Sequence, residues 1–313
     1  MPLKLHKPQK GTKEWDHPLN ENFEAIESHA AALYQMFDSR NILHNWDFRS
    51  PVNQRRLAEY AGDGYAVDRW RLFGENASLR VKGSYITHTG GGTLGQFLEF
   101  PQQYSGLTVT ASIFSRNRGT GDAHIAIVTH AGAAGIDWRV AGIAFIPPSE
   151  NWQITSFTTI LPNNITSLNF GISGANAVND IQAVKLELGT VSTLANDPPM
   201  DLGRELAVCQ RFALRPNISA HFSAHVFGVG GHPLGIWFLV PTPVTMRVAP
   251  SISNINDMLR LHHGQTGDIL TGFRFVSELA HSAGVQIAAM KTNHNMPSAT
   301  LAISPDAIFS ADL

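Results

Sequence analysis

The sequence predicts a mainly β protein: an N-terminal arm and short coiled-coil helix, then a jelly-roll β-sandwich and a smaller C-terminal β-domain. Three observations predict it. Apolar residues follow one clear heptad spacing, between residues 19 and 37. From Asn41 onward the period changes to two, in many short runs separated by turn clusters. No long helical pattern interleaves with those runs, which separates the chain from the alternating α/β classes. At 313 residues it is long enough for two domains, or for one domain with extensions.

Residues 1–17 read as an attachment arm. They hold Lys4, Lys7, Lys10 and Lys13, four of the seven lysines, with prolines and no periodicity. Such a segment orders only against a partner. Residues 18–40 form the helix, opened by the acidic Asp16 and the helix-compatible Pro18. Leu19, Phe23, Ile26, Ala30, Leu33 and Phe37 are spaced 4, 3, 4, 3 and 4, a heptad seam. Glu21, Glu24, Glu27 and His29 fall off it. A stripe this narrow predicts a short parallel coil that oligomerises the chain, in preference to a helix packed on its own domain. So short a coil is marginal alone, and the domains behind it must help it assemble.

Residues 41–195 carry the sandwich. Ser78 to Lys82, Leu107 to Phe114, His124 to Val128, Ile165 to Ile172 and Ile181 to Leu188 read as strands. Turn clusters separate them at Gly90 to Gly92, Arg116 to Asp122, Pro147 to Ser149 and Ser173 to Asn176. Prolines at 198 and 199 open a linker, 196–212, with a short helix starting near Asp201. Period two then resumes through a distal β-domain, 213–313. Its strands are expected at Ile236 to Val240, Val244 to Val248, Gly272 to Val276, Gly284 to Ala288 and Thr300 to Ile303.

Charge removes classes of partner. Lys+Arg 23 against Asp+Glu 25 leaves a net of −2, with no basic field for nucleic acid or an anionic membrane. The charged fraction, 15%, lies well below the usual ~25%. The surface is therefore neutral and polar, or buried against other subunits, and both readings suit an assembly protein. The single cysteine, Cys209, excludes an intrachain disulfide and a thiolate cluster. The N-terminus lacks the apolar core of a signal peptide, so the chain is expected to be made in the cytoplasm without one. The longest apolar stretch, Val226 to Val244, is broken by His232, Pro233, Pro241 and Pro243, which argues against membrane insertion.

Several phrases together resemble the tail-fibre and receptor-binding proteins of tailed bacteriophages and prophages. Asn41 to Phe48 with Pro51 to Arg55 is similar to the opening of their first β-domain. Gly64 to Trp70 is similar to its next strand, and Val184 to Thr193 to its closing strand. Gly203 to Phe212 resembles the connector, and Val240 to Pro250 with Ile308 to Leu313 the distal β-domain. Trp15 to Glu27 resembles the arm and helix used for attachment. The resemblance implies a homotrimeric virion appendage, docked through its arm on other tail or baseplate proteins. It also implies a first β-domain like a carbohydrate-binding jelly roll, which would meet host surface polysaccharide. Arg69 and Trp70 fall in the framework of that resemblance and read as packing residues on a core strand.

Glycan binding needs aromatic faces beside planar polar groups. The candidates in apparent loops are Trp138 with Asp137 and Arg139, Trp152 after the prolines, and Tyr104 near Gln102 and Gln103; His232 is a distal loop candidate. Trp237, in an apolar run, reads as core. Two rival readings stay open, a structural adaptor in a baseplate or collar and a polysaccharide depolymerase. The latter needs paired carboxylates, for which Asp122, Asp137 and Glu150 are the loop acids available. Their spacing does not require convergence, no G-x-S-x-G elbow occurs, and no catalytic residue is assigned. No cofactor or metal is expected. Histidine is enriched at 14, and one inward histidine per chain of a trimer could hold an axial metal ion. His221 and His225, four apart on one expected strand, and the adjacent His262 and His263 are the groups considered.

Overall fold

The computed structural model describes residues 20–26, 40–131, 138–215, 242–248, 251 and 308–311, with further strand segments between His221 and Ile303 described as backbone. Of the expected seam, Phe23 and Ile26 lie on helix α1 (20–26), both exposed. Leu19, Ala30, Leu33 and Phe37 fall outside the described residues, as does the arm 1–17.

The period-two runs fold into two six-stranded antiparallel sheets packed as a β-sandwich. Sheet A joins β1 (Glu59–Ala61), β4 (Ser78–Val81), β5 (Ile86–Thr89), β12 (Val178–Leu188), β7 (Thr108–Asn117) and β10 (Ser149–Ile160) in that order. Sheet B joins β2 (Gly64–Tyr65), β3 (Arg71–Phe73), β6 (Thr93–Phe97), β11 (Ile165–Ser173), β8 (Ala123–Ala131) and β9 (Trp138–Ile146). The chain crosses repeatedly between the sheets, as in a jelly roll. Alternation along each strand fills the interlayer: Val109, Ala111 and Ile113 of β7 meet Ile125 and Ile127 of β8, all buried in one core. Phe48, Trp70 and Phe170 form its largest ring group, with centroids 5.2 Å and 6.1 Å apart, edge to face.

One bulge matters for the edges. β5 pairs with β12 only as far as Ile181, and the register shifts between Ile181 and Ala183. Beyond that point the segment 42–48 takes over the same edge: Phe48 N donates to Gln182 O, Val184 N to Trp46 O, and Ile42 N to Leu186 O. The first phrase of the resemblance is therefore a surrogate edge strand. Gly64 to Trp70 is not one strand as expected. After Gly64–Tyr65 the chain turns at 67–70, with Arg69 left-handed at φ 73° and Trp70 turned fully into the core.

The linker helix α2 (Leu202–Cys209) is capped by Asp201, whose carboxylate accepts from the amides of Gly203 and Arg204. It packs back onto the sandwich through Asn45. That residue sits fully buried at φ 52°. Its side chain donates to the carbonyls of Val52 and Asp68 and accepts from the Val52 amide at 2.7 Å. Its own amide donates to Glu205 of α2, and its carbonyl accepts from the Trp70 indole at 2.9 Å. Burial raises the Glu205 carboxyl, with the Asn45 amide opposing that rise. Just after α2, the Arg69 guanidinium lies 3.5 Å from the Phe212 ring centroid and donates to Phe97 O.

Beyond α2, Ala213–Leu214 pairs with Phe309–Ser310, which also pairs with Ser251–Ile252. Two four-stranded sheets follow in the C-terminal region. The expected strand at Val244 to Val248 is instead a bend: Pro243, just before it, cannot donate to a ladder, and the Arg247 amide donates to Arg211 O. His221 and His225 belong to strands of different sheets, His221–Ser223 and His225–Phe227, so they do not share one strand face as expected.

Two predictions follow from burial. Asn45→Ala removes three side-chain hydrogen bonds and leaves a non-glycine residue left-handed, so the urea midpoint should fall by an equivalent of about 3–5 kcal/mol. An unchanged midpoint would show that α2 does not depend on this residue. The second concerns His44 and His88. Burial lowers both imidazoles from 6.5 to about 4, with Arg69 and then Arg211 adding to the effect at His44. The unfolded chain takes up these protons near pH 6.5 and the folded chain does not. Stability is thus full above that pH and is lost as pH falls toward 4, by up to about 1.4 kcal/mol per pH unit for each histidine. Both ring nitrogens of His88 are buried without partners. His88→Leu should therefore raise the midpoint at pH 7.5 and shrink its drop between pH 7.5 and 5. Parallel pH curves for the two proteins would contradict this.

Candidate functional site

The two outer faces of the sandwich differ in chemistry. On sheet B, register places four rows of side chains outward. Phe145, His124, Ser173, Thr93 and Phe73 form one; Ile143, Ala126, Gly171, Gly95, Arg71 and Tyr65 the next. Val140, Val128, Asn169 and Phe97 form the third, and Trp138 with His130 begins the fourth. Glycines lie mid-row, and a Cβ on Gly95 would press on the Phe73 ring at 3.1 Å. Phe73 and Phe97 stand 5.8 Å apart, edge to face, and Phe97 and Trp138 6.1 Å apart. Trp138 is 52% exposed, Val140 61% and Phe145 62%. An apolar strand face this bare is uncommon on a solitary domain.

At the Phe97 end of this face opens a cavity of about 630 Å³, lined by Phe97, Glu99, Phe100, Gln102, Arg211 and Arg247 among others. Arg211 pairs with Glu99 at 3.3 Å, and the buried Nε of Arg247 has no partner. Phe100 forms the lip. It is left-handed at φ 51°, directly before Pro101, and its ring is 68% exposed. A non-glycine residue in that conformation costs roughly 1–2 kcal/mol, and the exposed ring recovers little by packing.

Sheet A presents a mixed face, with Ile154 and Ile160 exposed on β10 beside charged and polar side chains. Asp180, fully buried, accepts from Arg116 Nε at 2.9 Å, Arg118 Nε at 2.7 Å and Thr87 Oγ1 at 2.8 Å. Burial pushes its carboxyl upward, but the bonds from Arg118, Thr87 and Arg116 outweigh this and hold it below the ordinary value. The Arg116 guanidinium lies 5.0 Å from the Trp152 centroid and 5.7 Å from that of Tyr85. Trp152 also meets Tyr85 and Phe114 at 5.8 Å and 5.5 Å. Farther along, Lys185 and Glu187 point outward yet are fully buried, because residues 193–197 fold over them. Lys185 Nζ donates to Asp197 and Thr193, and Glu187 accepts from the amide and hydroxyl of Thr193.

The expected aromatic candidates are thus divided among three places. Trp138 and Trp152 are on strands, not loops, and on opposite outer faces. Arg139 follows Trp138 on β9 and is exposed. Tyr104 closes the 3-10 turn Pro101–Tyr104, half-buried against the core, where burial raises its phenol. Asp137 and His232 lie outside the described residues. Asp122 is in the β7–β8 turn and Glu150 at the exposed start of β10. Among the described residues no group of three or more histidine, cysteine, aspartate or glutamate side chains could hold a metal ion. Sequence reasoning missed Phe73, Phe97 and Phe100. For Phe97 the signal was there, since it is in phase with Thr93 and Gly95 on one strand, whereas Phe73 joins them only through the pairing of β3 with β6.

Comparison with protein-family models and with curated proteins finds no match. Among solved structures the chain is similar to a family 4 carbohydrate-binding module at 15% identity, covering 46% of this chain and 98% of that one, TM-score 0.33. It is also similar to the C-terminal family 22 module of a Clostridium thermocellum protein at 16%, over 43% and 96%, TM-score 0.33. A family 61 module in complex with β-1,4-galactotriose is 13% identical over 48% and 100%, TM-score 0.29. The sandwich described above rests on its own strand pairings.

Phe100→Gly tests whether the lip residue serves stability. The substitution should raise the unfolding midpoint by an equivalent of about 1 kcal/mol, by relieving the left-handed strain. A loss of stability would mean that the ring packs in solution.

Proposed function

We propose that the chain is a glycan-binding, homotrimeric tail appendage of a tailed-phage virion, working by adhesion and not by catalysis. The observation that carries the reading is the aromatic run Phe73, Phe97 and Trp138 across the outer face of sheet B, ending at a polar-rimmed cavity. Aromatic faces beside arginine, glutamate and glutamine side chains suit the apolar faces and hydroxyl edges of a pyranose. The arm 1–17 docks on tail or baseplate proteins, the helix 18–40 trimerises the chain, and 213–313 forms the distal domain. Three weak sites on one body then gain avidity through effective concentration.

Two further features support this reading. The phrases that resemble phage receptor-binding proteins have defined structural work here, Asn45 as a hub and Lys185 with Glu187 as a capped pair. Carboxylates of the sandwich are held by cations, Asp47 by Arg49, Asp63 by Arg71, Asp68 by Arg55 and Glu59 by Arg80. Each of these carboxylates is tied to a neighbouring guanidinium instead of facing a second carboxylate across a cleft, as glycoside hydrolysis needs.

One observation favours a purely structural adaptor instead. Val140, Ile143 and Phe145 extend the bare face beyond the aromatic run, as a subunit contact would. A single experiment separates the readings. The full chain is screened on an array of bacterial surface polysaccharides, with its mass measured by light scattering. A trimer with saturable binding, weakened at least tenfold by Trp138→Ala at an unchanged unfolding midpoint, is expected. A trimer that binds nothing on the array, or binds equally well without Trp138, leaves the adaptor reading in place.

A further inference from the structure

Sheet A carries a second cleft, on the side of the sandwich opposite the aromatic run. Its volume is about 420 Å³, within the range of ligand sites. Glu59, Arg80, Lys82, Thr87, Thr89 and Arg118 are among its lining residues. Its charges do not cancel. Glu59 and Arg80 neutralise each other at 2.8 Å. The one carboxylate of Asp180 answers two guanidinium groups, Arg116 and Arg118, and so leaves one positive charge over. Lys82 has no ion-pair or hydrogen-bond partner for its ammonium among the described residues. The acid facing Arg118 from the start of β10 is Glu150, which is exposed to solvent. Counting it, the cleft still holds a surplus cation in a chain whose net charge is −2.

The placement of these groups is built into the sheet. Arg80, Thr87, Asp180 and Arg116 stand in one cross-strand row. Lys82 and Tyr85 close the β4–β5 hairpin beyond it, with Lys82 N donating to Tyr85 O. Asp180 and Thr87 fix Arg118 from behind, so its guanidinium is set in place before anything arrives. A preset guanidinium beside an unpaired ammonium is a receptor for an oxyanion.

We infer that this cleft binds the anionic substituent of an acidic glycan, a uronate carboxylate or a sugar phosphate. The site is separate from the aromatic face and does not depend on it. The test uses the full chain and three probes: oligogalacturonate, poly(glycerol phosphate) and neutral dextran. Binding is measured by isothermal titration at low salt, for the wild type and for Lys82→Gln, Lys82→Glu and Trp138→Ala. Lys82 is half-buried beside the exposed hairpin tip Gly83–Ser84 and its ammonium holds no partner among the described residues, so its variants should keep the wild-type unfolding midpoint.

At least one anionic probe should bind, tenfold or more weakly to Lys82→Glu, with Lys82→Gln between, and with Trp138→Ala unchanged. Which of the two probes binds identifies the oxyanion. Three results would overturn the inference: neither anionic probe binds, dextran competes equally, or Lys82→Glu binds as the wild type does. Loss of binding in Trp138→Ala alone would move the anion to the aromatic face and likewise overturn it.

Discussion

The fold turns on a single buried asparagine. Asn45 reaches the carbonyls and amide of the opening loop, the turn before Trp70, the indole of Trp70 itself and the carboxylate of Glu205. No aliphatic residue could do this, because each of those backbone groups is out of reach of water and needs a partner. Asparagine also tolerates the left-handed backbone that the position imposes. The surrogate edge strand, the core tryptophan and the linker helix therefore share one fixed point. The sandwich and the chain leaving it are coupled through hydrogen bonds, where an apolar contact would permit sliding.

A second constraint works on the outside of sheet A. Lys185 and Glu187 alternate correctly for an outward face, yet both are fully buried under residues 193–197. A buried charge pair is weak evidence of stability, since desolvation offsets most of the attraction. What it supplies is direction: only one path of the chain after Leu188 places Thr193 and Asp197 against those charges. Burial raises the Asp197 carboxyl, and Lys185 opposes it. The chain is thereby steered across sheet A toward α2, and this half of the face is closed to ligands. The open remainder is the part with Arg118 and Lys82.

How much of this was legible follows from which signals are local. Strands such as Ile181 to Leu188 are read directly, since alternation is a property of neighbours. The turn at 67–70 was not, because Arg69 adopts its left-handed backbone to stack on Phe212, more than a hundred residues away. The bend at 242–248 overrode a good alternating pattern because Pro243 cannot join a ladder and the Arg247 amide is taken by the distant Arg211 carbonyl. Site residues fared worse for a similar reason. Trp138 and Trp152 look alike in sequence, each beside polar residues and near a turn. Only the order of strands in the sheets puts one on a bare face and the other beneath an arginine.

The low charged fraction gains a physical meaning from these placements. Among the described residues several of the sandwich's acids are answered by arginines, from Asp47 with Arg49 to Glu99 with Arg211 of the linker. Ions used in this way fix loops and strand rows and leave little net field outside. The outer face of sheet B is then free to be apolar, and surplus positive charge sits in the two clefts, at Arg247 beside Phe97 and at Arg118 with Lys82 on sheet A. A strongly charged surface would steer partners from afar and without discrimination. A chain of small net charge, with its surplus cations confined to clefts among the described residues, distinguishes partners by contact.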